Sequence, residues 1–217
     1  MANSARPFGL KPVRHIDGSP WIGQATLCVV LGADTSDYFI GDAVMFGGSG
    51  DANGIPSVIK YANAGNAATA TCGTIVGVHK VRPTIGSLEG ASLELEEKSL
   101  LGSITSDQFV MVVMDTAVVY ECRSDTTGLR RNHIGSNVDI TVTAPSNRKQ
   151  LSATVLAGTG ATGAPAATAT FPFRIIGFKQ SPDNEINASA ATDEPSIVAL
   201  VVPNEHAFKV GTLGLAV

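Results

Sequence analysis

One glycine pattern in this chain, Gly158-x-Gly160-x-x-Gly163, matches a cofactor motif by its letters. In dinucleotide-binding proteins this pattern follows a strand and opens a helix, whose N-terminus holds the pyrophosphate. Here Ala-Pro-Ala-Ala-Thr follows the glycines, and the next element is another candidate strand. Because no helix is expected there, and because no P-loop or nucleophile-elbow motif occurs, the sequence predicts no cofactor.

Side chains that commonly perform catalysis or bind metals are scattered along the chain. No H-x-H or H-E-x-x-H motif joins any of the histidines, which are His15, His79, His133 and His206. Acidic residues gather only loosely, at 94–97 and 183–185, where solvated faces or salt bridges are the simpler interpretation. We therefore expect a protein that is not an enzyme, with no catalytic or metal-binding residues. A pair of carboxylates that meet only in the fold, as in a hydrolase or a sugar-binding enzyme, stays possible.

The cysteines predict neither a zinc site nor a disulfide scaffold. Cys28, Cys72 and Cys122 are odd in number and far apart, whereas zinc sites use close pairs and disulfide scaffolds use many cysteines in a short chain. We expect three buried apolar side chains in a reducing compartment. No apolar run follows the N-terminal charges, and none elsewhere approaches about 20 residues, so we expect no signal peptide, synthesis in a cytoplasm and no membrane partner.

The composition suits a protein that packs against other proteins. Of the 217 residues, 44% are apolar and 16% are charged, against about 25% charged residues in an average domain. The formal net charge is -4, and the chain lacks the basic stripe that would predict direct binding to nucleic acid. A Thr- and Ser-rich β protein without any such role has a similar composition.

Short runs of apolar or alternating residues recur between turn signals, which predicts strands. The candidate strands are 25–31, 38–46, 55–62, 73–81, 108–114, 117–124, 137–143, 150–156, 171–180 and 196–202. Residues 91–101 contain good helix formers but alternate with period two, so we expect a strand or a short turn. The alternation of strands with long helices that marks a parallel sheet is absent. The sequence predicts an all-β fold, either a β-barrel or a jelly-roll-like β-sandwich.

Turn signals between these runs predict how some strands are connected. Residues 138–143 and 150–156 should form a hairpin, and so should 108–114 and 117–124, which flank Asp115-Thr116. The glycine-rich segment 47–54 should form a hairpin tip, and Pro182-Asp183-Asn184 a turn. Residues 157–170 are low in complexity, and we expect a loop that is mobile or ordered only against a partner.

The chain divides into an extended N-terminal arm, residues 1–24, and one β-rich domain, residues 25–217. Residues 6–21 contain prolines and glycines, do not alternate like a strand, and carry three basic residues before the first acid, Asp17. We expect this arm to bind a partner or to wrap on its own domain, with its aromatic residues as apolar anchors and its basic residues as charged contacts. The candidate partner-binding residues are Arg6, Phe8, Lys11, Arg14, His15 and Trp21.

Four segments of the chain resemble, in order, motifs of tailed-phage head decoration proteins, also called capsid cement proteins. The first is PFGLKPVRHIDGSPW at residues 7–21, and the second is FIGDAV at 39–44. The third is VVYEC at 118–122, and the fourth is PFRIIGFKQSPDNE at 172–185. Together they span nearly the whole chain, and residues 157–170 match no motif of the group.

The resemblance implies a β-rich structural protein on the outer surface of an icosahedral phage capsid. It implies the major capsid protein as partner, contacts between copies of the chain in a dimer or trimer, and synthesis in the host cytoplasm before location in the virion. The negative net charge agrees with the outer surface, because packaged DNA would repel it inside. Another virion role, such as a head fibre or a receptor-contacting β domain, is the main alternative.

Overall fold

The computed structural model describes residues 3, 5–62, 70–79, 98–100, 102, 106–145, 151–187 and 192–215. The regular secondary structure of the described residues is almost entirely strand, which confirms the predicted all-β fold class. Its strands are β1 (Lys11–His15), β2 (Thr26–Val30), β3 (Tyr38–Phe39), β4 (Ala43–Gly50), β5 (Pro56–Lys60), β6 (Gly73–His79), β7 (Ser99–Leu100), β8 (Gln108–Val113), β9 (Val118–Arg123), β10 (Asn137–Val138), β11 (Ile140–Thr141), β12 (Val155–Leu156), β13 (Phe173–Phe178) and β14 (Val198–Pro203). A short 3-10 helix, Arg131–His133, lies between β9 and β10.

Five strands close into a barrel in the order β2-β5-β4-β6-β8. The barrel closes through the antiparallel pair β2 and β8, while β2 and β5 are parallel. Apolar side chains from these strands fill its interior, among them Cys28, Val44, Val58, Ile75 and Val110. This arrangement leaves the barrel strands without a free edge, which removes a route to unwanted strand pairing.

A second, antiparallel sheet lies beside the barrel in the order β1-β9-β14-β13-β10. Its buried side chains, such as Tyr120, Ile175 and Val201, share one apolar cluster with Tyr61 and Val113 from the barrel strands and their ends. Since the two sheets share buried side chains, the barrel and the sheet pack as one body.

Several predicted connections are confirmed. Strands β11 and β12 pair as predicted for the hairpin of 138–143 with 150–156, with Ile140 opposite Leu156. The glycine-rich segment ends β4 and turns into β5, with Gly50 opposite Pro56. The predicted turn at Pro182 closes through a hydrogen bond from the Asn184 amide to the Ser181 carbonyl, 3.0 Å long.

The predicted hairpin of 108–114 with 117–124 is wrong. Strand β8 pairs with β2 and β6 in the barrel, whereas β9 pairs with β1 and β14 in the other sheet. The chain at Asp115 therefore turns a corner from one sheet into the other. Both runs are apolar and β-branched, and such runs do not reveal which neighbours a buried strand will choose.

Part of the predicted arm is a strand, contrary to the expectation that residues 6–21 would not form one. Strand β1 pairs with β9 at the edge of the five-stranded sheet, and the register shifts between Pro12 and Arg14. A proline is tolerated in an edge strand because its missing N–H faces away from the ladder. The bulge shifts the alternation of inward and outward side chains by one residue, so the sequence lacks the regular period of two that would indicate a strand.

The expectation that residues 157–170 are mobile or need a partner is also wrong. Backbone hydrogen bonds join the Asn137 amide to the Ala166 carbonyl at 2.9 Å and the Asp139 amide to the Gly163 carbonyl at 3.0 Å. The Asp125 carboxylate accepts a further bond from the Gly158 amide at 3.0 Å. Neighbouring parts of the same chain thus supply the contacts that the loop's own small side chains cannot.

The remaining predictions concern single residues and short segments. The three cysteines are buried and free, as predicted. Residues 91–97, with their acidic cluster, lie outside the described residues, although Ser99–Leu100 forms β7 against β3. Within the described ranges, no helix has the length and apolar character needed to cross a bilayer.

Candidate partner-binding face

A cavity of about 320 Å³ opens where the start of the arm meets the five-stranded sheet. We call it the arm pocket. It is lined by Phe8, Lys11, Glu121, Arg123, Leu151, Lys179, Asp183, Asn184 and Val198. The lining combines charged groups of both signs with the apolar side chains of Phe8, Leu151 and Val198.

Two glycines place Phe8 at this pocket. Gly9 has a φ of 73°, and a Cβ added to it would lie 2.6 Å from the Gly41 carbonyl oxygen. The next residue, Leu10, donates its amide to that same oxygen at 2.9 Å and is only 1% exposed. The close approach of the two backbones fixes where the arm leaves the body, and so fixes the ring of Phe8 above the end of β9.

Arg123, the last residue of β9, is the least solvated cation of the pocket, with 9% of its surface exposed. Its guanidinium lies 5.7 Å from the centre of the Phe8 ring, and its Nη1 donates to the Ser196 carbonyl oxygen. Among the described residues, its buried Nε has no hydrogen-bond acceptor. Burial lowers the pKa of Arg123, and the negative charge of Asp183 opposes that effect.

The other charges of the pocket are partly paired. Lys179 Nζ lies 3.2 Å from Glu121 Oε2, and Glu121 is opposite Lys11 in the β1–β9 register. The Ser181 hydroxyl donates to Asp183 and holds the pKa of that carboxyl below its usual value. Asp183 is therefore ionised at neutral pH, whereas a general acid needs a raised pKa.

The structure brings two of the six predicted partner-binding residues, Phe8 and Lys11, into the arm pocket. At the other end of β1, His15 Nδ1 lies 3.3 Å from Asp115 Oδ2. Arg14 Nη1 donates to the His15 carbonyl at 3.5 Å.

The remaining two lie away from the pocket lining. Trp21 packs against the protein's own apolar cluster, and its Nε1 donates to the Gln24 carbonyl at 3.3 Å. Arg6 is exposed. The arm is thus wrapped on its own body along β1, one of the two alternatives that the sequence left open.

Sequence reasoning missed Arg123, Glu121 and Lys179 as pocket residues. Glu121 and Arg123 interrupt the apolar run 117–124, and Lys179 lies near the end of the run 171–180. A charged residue inside an apolar strand could have indicated them, because charged side chains are almost never fully buried unless they are paired. Which charges meet could not be read from the chain, since it depends on the pairing of β1 with β9.

Three of the four segments that carry the resemblance contribute residues to the arm pocket, and the second contacts the arm through Gly41. The first contributes Phe8, and the second contributes Gly41, against which Gly9 packs. The third contributes Glu121, and the fourth contributes Lys179, Asp183 and Asn184. Residues far apart in the chain therefore line one pocket, while most of the second segment is buried.

No group of three or more potential metal ligands occurs in the described part of the chain. Comparison with known proteins finds no protein-family model, no curated protein and no solved structure that matches this chain.

Proposed function

We propose that this protein is a capsid decoration protein, which binds the outer surface of an icosahedral phage head and stabilises contacts between major capsid protein subunits. The arm pocket and the exposed side of β1 form the surface that meets the capsid. Copies of the chain also contact one another on the particle, as a dimer or a trimer.

The observation that carries this proposal is that three of the four resembling segments contribute residues to one exposed pocket. If these segments served only the core, their side chains would be buried there, as Leu10 and Tyr120 are. Instead, Lys11 is exposed and Phe8 is half-buried at the surface. A charged and aromatic surface of this kind is typical of protein contacts, in which a few anchors give most of the binding energy.

Many copies on one particle make weak single contacts sufficient. A capsid presents the same surface repeatedly, so neighbouring copies that also contact each other raise the effective affinity by multivalency. The negative net charge of -4 favours the outer surface over the DNA-filled interior.

Co-sedimentation of the purified protein with heads that lack it tests the proposal. We expect saturable binding by the unchanged protein and at least about tenfold weaker binding by the charge reversal Lys11→Glu, since an interface charge of the wrong sign is repelled. The control is Arg131→Glu, an exposed arginine outside the pocket, which should bind like the unchanged protein.

A general hydrolase screen of the same preparation addresses the enzymatic alternative. Failure of the unchanged protein to sediment with heads would contradict the proposal. So would turnover of a small substrate by a protein that never associates with particles.

A further inference from the structure

We propose that the arm pocket is a carboxylate-binding site, in which Arg123 receives a carboxylate from the partner protein. The identification of that partner as the capsid protein rests on the proposed function above. The chemical class of the ligand rests on the pocket itself.

The first argument is the incomplete hydrogen bonding of Arg123. Only 9% of the surface of Arg123 is exposed, yet no described carboxylate lies within salt-bridge distance of its guanidinium. Its Nη1 has only a neutral carbonyl as acceptor, and its Nε has none among the described residues. Leaving a buried charged donor without an acceptor is costly. Arg123 lines the arm pocket, so an anion bound there would give its guanidinium the charged partner that no described residue supplies.

The second argument concerns which anion fits. Glu121 and Asp183 already line the pocket, and their charges repel a doubly charged phosphate more strongly than a singly charged carboxylate. The guanidinium fork matches the two oxygen atoms of a carboxylate. The pocket therefore favours a carboxylate over a phosphate.

The third argument concerns what carries the carboxylate. Phe8, Leu151 and Val198 supply apolar surface beside Arg123, and Lys11 stands exposed in the same lining. A volume of about 320 Å³ is at the small end of ligand sites, which suits one or two residues of a peptide. The ligand is thus an acidic side chain, or a chain-terminal carboxylate, with apolar residues beside it.

Titration with short peptides tests this inference without any phage particle. One N-acetylated, C-amidated tripeptide carries a glutamate between two leucines, and its control has glutamine in place of glutamate. A second N-acetylated tripeptide of alanine and leucine ends in a free carboxylate, and its control is amidated. The Nε–H resonance of Arg123 in a proton–nitrogen NMR spectrum reports binding at the guanidinium.

We expect a saturable shift of the Arg123 resonance with at least one acidic peptide, and at least about tenfold weaker binding of its neutral control. The acidic peptide that binds distinguishes a side-chain carboxylate from a terminal one. No saturable shift with either acid, or equal shifts with acid and neutral peptides, would overturn the inference.

Two variants extend the test to the residues. Arg123→Lys keeps the charge but loses the fork, and should bind the acidic peptide at least about tenfold more weakly. If that variant does not fold, Lys11→Gln should weaken binding about threefold, and the exposed control Arg131→Gln should not. Equal affinities in Lys11→Gln and Arg131→Gln would count against the inference.

Failure of the inference can be told from failure of the proposed function. Binding of heads by the unchanged protein, without any response of Arg123 to carboxylates, would leave the proposed function standing and reject the carboxylate site. A response of Arg123 to carboxylates, without any binding to heads, would support the carboxylate site and reject the proposed function.

Discussion

Single residues decide how the arm is attached to the body. Gly9 and Gly41 face each other, both with positive φ, at a distance that excludes a Cβ on either of them. Beneath them, the buried Asp42 accepts hydrogen bonds from the Phe39 amide at 3.0 Å and from the Ser152 hydroxyl, and lies 3.3 Å from Lys60 Nζ. The FIGDAV segment therefore supports the arm from inside.

Gly9→Ala should destabilise the protein by more than the strain of its backbone conformation alone. The new Cβ would meet the Gly41 carbonyl oxygen at 2.6 Å in addition to adopting a φ of 73°. Gly18→Ala is the matched control, because Gly18 lies in the same segment with a φ of 93° and nothing within 4 Å. In urea unfolding we expect a loss of about 1 kcal/mol for Gly18→Ala and at least about 3 kcal/mol for Gly9→Ala. Equal losses would mean that the close approach does not hold the arm.

Elements show where sequence reasoning succeeds and where it fails. Alternation in 138–143 and turn residues at 47–54 identified two hairpins correctly, because both signals are local. The neighbours of β9 cannot be predicted from the sequence. Pro12 and a bulge mask the alternation of β1, and the other neighbour of β9, β14, is distant in sequence. For the same reason the sequence indicated Phe8 and Lys11 as binding residues but not the Arg123 they surround.

The segment after β14 is attached through a buried histidine. His206, which is 4% exposed, accepts a hydrogen bond at Nδ1 from the Phe208 amide, 3.3 Å long. The Ala207 amide donates to the Thr71 carbonyl at 2.8 Å, next to the barrel strand β6. Protonation of the imidazole removes its acceptor, so this attachment depends on pH.

Acid should weaken the protein through His206. Burial lowers the pKa of His206 from 6.5 to about 4. Because the folded pKa is lower than the unfolded one, the stabilising contribution is complete above pH 6.5 and is lost as the pH falls toward 4. Glutamine cannot ionise in this pH range. Between pH 7 and pH 4, the free energy of unfolding of His206→Gln should therefore fall by about 2 kcal/mol less than that of the unchanged protein. Parallel curves of unfolding free energy against pH for the two proteins would show that His206 does not titrate in this way.

At the scale of the whole molecule, the arm, the sheet and the barrel share buried side chains. One apolar cluster contains Leu10 from the arm, Tyr120 from the sheet and Val113 from the barrel. Trp21, the single tryptophan, packs against the same cluster. We infer that the arm unfolds with the body, and that deleting residues 1–21 would damage the core as well as the binding surface.

Unfolding measured at Trp21 should therefore coincide with unfolding of the whole fold. Tryptophan fluorescence reports the arm, and far-ultraviolet circular dichroism reports the sheets, so both should give one urea midpoint. A fluorescence transition at clearly lower urea would show that the arm detaches first. The Gly9→Ala variant provides a comparison, because loosening the arm should lower the fluorescence midpoint below the circular dichroism midpoint.

A cryo-electron density map of heads incubated with the protein tests the central claim most directly. The proposed function predicts added density on the outer surface, with Phe8, Lys11 and the rest of the arm pocket against the major capsid protein. Heads without added density, or density in which the arm pocket faces solvent, would contradict the claim.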